Sequence, residues 1–169
     1  MSITRSTFDR QIAHVGNVRH GVATGPFRVE FDAPVAEDDG ATKIKQGSIV
    51  QLTATGFKLG VGASGVPCMS LKNVTDADVQ TGVKGETFSA VGEHITAIPV
   101  TSGYELETTE FDTMDTYTVG AELTAGEDGK VKVANVGDTI IGYVSVAPAA
   151  DYFGNTRIAF FAHFGGKKA

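Results

Sequence analysis

Six residues, GVGASG from Gly60 to Gly65, carry the G-x-G-x-x-G spacing that holds a dinucleotide's pyrophosphate. That chemistry needs a strand before the loop and a helix opening after it, because the free N–H groups of the helix N-terminus bind the phosphates. Here Val66-Pro67 follows at once, then the short strand-like CMSL. The spacing therefore predicts a turn between two strands, with glycines chosen for positive φ or close backbone approach.

The other candidates for chemistry are equally short of partners. Glu105 and Glu107 lie on one face of a predicted strand, about 7 Å apart by strand rise, a spacing open to a glycosidase pair. They sit in an acidic stretch, and the chain has no Trp to stack a sugar. The four histidines (His14, His20, His94 and His163) form no H-x-x-x-H pair and none adjoins a cysteine, so no zinc pattern exists. The turn-like GEDG (126–129) and DADV (76–79) lack the alternating ligands and closing Glu of a calcium loop. Cys68, the single cysteine, lies in the apolar run VPCMSL and is expected to be a buried small hydrophobe. No G-x-S-x-G is present. The reading is of a protein that is not an enzyme and has no cofactor, no metal site and no catalytic residue.

Charge is distributed unevenly. The net charge is −6, which disfavours direct nucleic-acid binding. From residue 85 to 129 there are ten acidic residues and no Lys or Arg. The first 28 residues carry Arg5, Arg10, Arg19 and Arg28 against Asp9. A basic arm on an acidic body predicts that the arm meets a negative surface. Its apolar anchors would be Phe8, Ile12, Val15 and Val18, with Arg5, Arg10 and Arg19 as charge partners. The opening residues show no apolar secretory segment, and no run approaches the roughly 18 apolar residues of a membrane span. The expectation is a protein used without export and without a membrane.

The elements that must carry these residues read as β. The 21 glycines are spread between short β-branched runs, an all-β signal. Residues 1–30 read as an extended N-terminal arm and 31–169 as a β domain of eight to ten short antiparallel strands, a small barrel or sandwich. One short helical turn is predicted over 75–88, capped by Thr75. Residues 93–111 read as a hairpin about Ser102-Gly103, its first strand apolar on both faces and placed at an edge, or bulged, by Pro99. Asp128-Gly129 suits a type I′ turn. Phe160, Phe161 and Phe164 are available to the core. The triplet LTA recurs at 52–54 and 123–125 after glycine-led strands, which points to two related hairpin lobes, about 45–90 and 115–150.

The run YTVGAELTAGEDGKVKVANVGDTIIGYVSV (117–146) resembles a segment of the head decoration, or capsid cement, proteins of tailed bacteriophages. The matching positions are Gly120, Leu123, Thr124, Ala125, Gly129, Lys130, Gly137, Asp138, Ile141, Gly142 and Val144. The resemblance implies a structural virion protein on the outer capsid surface, made in the host cytoplasm. It would clamp neighbouring major capsid protein subunits and act as a homo-dimer or homo-trimer. The readings set against it are another phage virion β domain, of tail or head fibre, and a carbohydrate-binding or adhesin-like β module.

Overall fold

A computed structural model describes residues 18–21, 31–36, 44–62, 65–71, 88–89, 91–92, 94–100, 104–150, 154–163 and 165–169. Among these residues every regular element is a strand and none is a helix. The turn predicted over 75–88 lies outside them except for Phe88. In chain order the strands are β1 (Val18–Gly21), β2 (Phe31–Pro34), β3 (Ile44–Lys45), β4 (Ile49–Thr53), β5 (Gly56–Leu59), β6 (Val66–Ser70), β7 (Phe88–Ser89), β8 (His94–Pro99), β9 (Tyr104–Thr108), β10 (Glu122–Ala125), β11 (Val131–Val133), β12 (Gly142–Ala150) and β13 (Thr156–Ala162).

They form two antiparallel sheets and a small β3-β7 ladder. The first sheet runs β2-β8-β6-β4-β5 and the second β1-β9-β13-β12-β10-β11. The all-β class is as the glycine-punctuated, β-branched runs predict.

The two sheets repeat one plan. In each, a first strand (β2, β9) is followed by a hairpin (β4-β5, β10-β11). The next strand returns on the hairpin's other side (β6, β12), and the last (β8, β13) lies between that strand and the first. Each first strand is followed by a residue that bridges the hairpin's second strand in parallel, Val35 to Phe57 and Phe111 to Val131. The next residue donates its N–H to that partner's carbonyl, Ala36 to Phe57 and Asp112 to Val131. This curls each sheet towards a barrel.

Counting out from the two bridges matches the lobes residue by residue. Leu52 faces Phe57 as Ala125 faces Val131, and Val50 faces Leu59 as Leu123 faces Val133. Val50 pairs with Cys68 as Leu123 pairs with Gly142. Cys68 pairs with Pro99 as Gly142 pairs with Ala162. The LTA triplets are not equivalent in this register: Leu52 corresponds to Ala125, two residues on. The repetition lies in strand order and burial, not in that triplet.

Two apolar clusters hold the lobes. One lies inside the first sheet, with Val35, Ile44, Val50, Phe57, Cys68, Ile95 and Ala97. The larger joins the inside of the second sheet (Leu106, Phe111, Leu123, Val131, Phe160) to the outside of the first (Ile49, Met69, Ile98, Val100). The first sheet is thus buried on both faces, and its strands read as continuous apolar runs for that reason. This corrects the predicted hairpin over 93–111. β8 and β9 belong to different sheets, β8 paired with β2 and β6, β9 with β1 and β13. The two-faced apolarity of HITAIPV marks a strand between two cores. β8 is also internal rather than an edge. Pro99 is its last residue, and β2 reaches only to Ala97, so the missing N–H falls past the paired stretch on that side.

The GEDG loop is a second correction. Gly126 and Lys130 close it (N–H to carbonyl, 2.9 Å), and Gly129 N–H bonds back to the Gly126 carbonyl at 3.0 Å. Gly129 has φ +75°, and no described non-glycine residue has positive φ. A type I′ turn needs two such residues, so this is a three-residue loop with one left-handed glycine.

Tyr117 pins the loop that enters the second lobe. Its hydroxyl lies 2.8 Å from the Asp112 carbonyl and 2.9 Å from that of Val131, and its ring meets Phe111 edge-on at 5.7 Å. Burial, then the Asp115 and Asp112 carboxylates, push this phenol well above its ordinary range. Burial also pushes the Cys68 thiol up, to about 12. Both groups stay neutral in the fold while their unfolded counterparts ionise near 10.0 and 9.0. Folded pKa values raised in this way contribute stability that is whole below about pH 9 and falls as pH rises toward 12. The urea midpoint should therefore drop over that window, and Cys68→Ala should flatten the drop by up to about 1.4 kcal/mol per pH unit. A slope identical in the variant would refute the linkage.

Candidate interaction surface

Of the residues singled out in the N-terminal arm, Arg5, Phe8, Arg10, Ile12 and Val15 lie outside the described residues. Val18 and Arg19 fall in β1, which pairs antiparallel with β9 (Val18 with Leu106, Gly21 with Tyr104) at the edge of the second sheet. The end of the arm is thus fastened to the body.

The Glu105 and Glu107 carboxylates sit in different surroundings. Glu105 is buried and accepts a hydrogen bond from Ser145 Oγ at 2.7 Å. Glu107 is half-buried and its register partner is Ala159. The described histidines lie apart in the fold, in β1, in β8 and just after β13. His94 Nδ1 stands 3.4 Å from Asp32 Oδ1 in an exposed pair, and His163 lies against the Tyr143 ring at 5.7 Å. Among the described residues no group of three or more His, Cys, Asp or Glu is placed to hold a metal ion. Cys68 is fully buried in the first lobe, as its apolar run predicts, and burial pushes its thiol pKa up.

GVGASG does not join two paired strands. β5 and β6 lie on opposite sides of β4 and are not neighbours in the sheet. Gly62 donates its N–H to Gln51 Oε1 at 2.5 Å. Gly60 has φ +81°, and a Cβ there would stand 2.6 Å from the Gly126 carbonyl oxygen and 3.1 Å from Glu127 Cα. Gly60 therefore packs directly on the Gly126–Glu127 backbone of GEDG. Ile49 completes the junction by accepting from Gly60 N–H (2.9 Å) and donating to the Gly129 carbonyl (2.8 Å). Gly60, the first glycine of the phosphate-loop spacing, lies at the seam between the lobes, while Gly62 and Gly65 lie against Gln51 of their own lobe.

What sequence reasoning missed is the outer face of the second sheet. Phe160 is fully buried, but Phe161 is 57% exposed, contrary to its placement in the core. Phe161 pairs with Tyr143 on one side and Glu105 on the other, and Tyr143 pairs with Glu122. Leu123, Val144, Phe160 and Leu106, the neighbours of this row along their strands, point into the core. Glu122, Tyr143, Phe161 and Glu105 thus form a row across the opposite face. Lys168 stands 3.8 Å from the Glu122 carboxylate and donates to the Ala134 carbonyl at 2.7 Å. Adjacent residues of a strand face opposite ways, and that signal in AFFA was available from sequence.

The chain matches no known family model, and no curated protein matches its sequence. No described helix is long and apolar enough to cross a membrane.

Proposed function

We propose that this chain is a non-enzymatic structural virion protein. It binds the outer surface of a tailed-phage capsid, cements neighbouring major capsid protein subunits and stabilises the head. The observation that carries the reading is the behaviour of segment 117–146, whose pattern resembles decoration proteins. It folds as one contiguous unit of β10, β11 and β12, and its glycines Gly120, Gly129 and Gly137 each occupy a left-handed turn position. A glycine-punctuated strand–turn–strand unit of this kind supports the reading.

Two further features support it. A cement protein works through a rigid body and many repeated contacts, so that avidity replaces single-site affinity; an all-β body buried around two cores suits that work. Val18 and Arg19, at the end of the basic arm, fall in β1 at a sheet edge, and the arm's arginines suit an acidic surface. On this reading the partners are the major capsid protein and further copies of the chain, as dimer or trimer. The site of action is the virion exterior after synthesis in the host cytoplasm, with no part for nucleic acid, membrane or cofactor.

Removing residues 2–17 while keeping β1 tests the arm. Binding to undecorated capsids should weaken at least about tenfold, and the remaining wild-type binding should fall with added salt as arginine contacts are screened. Unchanged occupancy on capsids would refute the role of the arm.

A further inference from the structure

Three turns gather at one end of the second lobe, where β10 begins and β11 ends. Each is closed by its fourth residue's N–H on its first residue's carbonyl: Asp115 on Asp112, Ala121 on Thr118 and Asp138 on Asn135. The first is tied to β11 by Val133 N–H on the Asp115 carboxylate (2.8 Å). The second is tied to β12 by Gly120 N–H on the Val144 carbonyl (2.8 Å), and the third to β10 by Ala134 N–H on the Glu122 carbonyl (2.9 Å). Each turn lifts one apolar side chain into solvent: Met114 is 90% exposed, Val119 71% and Val136 79%. These are the most exposed large hydrophobic residues among those described. Their exposed neighbours Thr113, Thr116, Thr118 and Asn135 carry no charge. The carboxylates of the turns are engaged by backbone, Asp112 by Met114 N–H (2.9 Å) and Asp138 by Asn135 N–H (2.8 Å).

The fold does not require valine at these tips. A turn of this kind needs glycine in its third place, where Gly120 has φ +85° and Gly137 +89°, and its second place accepts most residues. The first lobe supplies the comparison. Its matching turn, 45–48, is closed by Ser48 N–H on the Lys45 carbonyl and has Gly47 at φ +82°. Gly47 N–H bonds Ser70 as Gly120 N–H bonds Val144. In the place of Val119 stands Gln46, half-buried, beside a Gly47 carbonyl that accepts from Thr108 Oγ1 of the second lobe (2.9 Å). The polar residue thus sits where the turn is partly covered and the apolar one where it is open, the reverse of what burial alone selects.

We infer that this end of the second lobe, with Met114, Val119 and Val136 as its knobs, is where the β body seats on an uncharged, apolar patch of the major capsid protein. The inference rests on the capsid reading and adds a second contact to it, different in chemistry from the arm's arginines. Tips on turns already closed by hydrogen bonds lose little freedom on docking. The centres of protein interfaces are depleted of charge, as this surface is. Charge also decides among the occupants. The exposed residues of the turns include no Lys or Arg to meet a lipid headgroup. Lys168, whose backbone bonds Gly137 and Asp138, turns its ammonium to the Ala134 carbonyl (2.7 Å) and the Glu122 carboxylate (3.8 Å). Two copies pressed tip to tip would set Asp112, Asp115 and Asp138 of each toward those of the other, which like charges oppose. An uncharged patch on a different protein meets neither obstacle.

Occupancy of undecorated tailed-phage heads, over a concentration series, reads the contact. Val119→Asp combined with Val136→Asp should raise the concentration for half-occupancy at least about tenfold. Its melting temperature should stay within about 3 °C of the wild type, because both side chains are exposed. Val91→Asp, at an exposed valine outside these turns, should change neither. If the double variant melts low, Met114→Asp decides, with a loss of at least about fivefold. Wild-type binding that neither the double variant nor Met114→Asp weakens would overturn the inference and leave the capsid reading standing, whereas heads left bare by the wild type would remove both. A wild-type dimer in sedimentation velocity, or wild-type flotation with phosphatidylcholine vesicles, that the double variant abolishes would overturn the inference by giving the tips to another occupant.

Discussion

Gly60→Ala should lower stability by about 3 kcal/mol or more, with the melting temperature falling by about 10 °C. Two costs add. A Cβ in the left-handed region costs roughly 1–2 kcal/mol, and Gly60 sits there at φ +81°. The new atom would also stand 2.6 Å from the Gly126 carbonyl oxygen and 3.1 Å from Glu127 Cα, both backbone atoms of a closed turn that cannot rotate aside. The obstructing groups belong to the other lobe, so relief means opening the seam that Ile49 ties on both sides. Gly62→Ala is the internal control. Gly62 is not among the positive-φ glycines, and its Cβ would meet the end of the Gln51 side chain at 2.6 Å, which can swing away at the loss of one hydrogen bond, about 1 kcal/mol. Thermal melts of the two variants should differ plainly. Equal, small effects would mean that the two glycine loops do not form a tight seam.

The second large effect separates two positions that the repeated plan makes equivalent. Ile98→Ser should cost about 3–5 kcal/mol, because the side chain is fully exposed to neither solvent nor lobe surface but buried in the shared cluster; the change leaves a cavity and places a hydroxyl in it. Phe161→Ser, at the same place in the other lobe, should stay within about 1 kcal/mol when measured on the monomer, since Phe161 is already 57% exposed. Chemical denaturation at low protein concentration checks both. Similar losses at the two sites would mean that the outer face of the second sheet is covered within the monomer.

Much of the fold was legible in the residues. The short β-branched runs between glycines announced an all-β chain, and Cys68 in VPCMSL announced a buried thiol. HITAIPV announced a strand apolar on both faces. What could not be read was which strand pairs with which. An inter-sheet connection such as that between β8 and β9 has the same local signature as a hairpin turn, and only the long-range burial of Ile98 and Val100 against Leu106 and Phe160 separates them. The role of Gly60 is hidden for the same reason, since it answers to a carbonyl more than sixty residues away in the chain. The repeat was glimpsed in LTA but at the wrong register, because equivalence is set by bridges and pairing rather than by identity. Phe161 was missed for a different reason. Hydrophobicity outweighed the period-2 rule, which forbids two adjacent strand residues from facing one core.

The candidate site follows the same division. The arm's charge is plain in the sequence, while its fastening through Val18–Gly21 to the edge strand β9 is a long-range pairing that no local pattern shows. The aromatic row emerges only when β10, β12, β13 and β9 are brought side by side.

The most direct measurement is occupancy. Purified chain should be mixed with undecorated tailed-phage heads, and the bound material counted by sedimentation and imaged. Saturable binding at regular positions on the outer capsid lattice is expected, together with greater resistance of the decorated heads to heat or osmotic rupture. Heads that remain bare at saturating protein would contradict it.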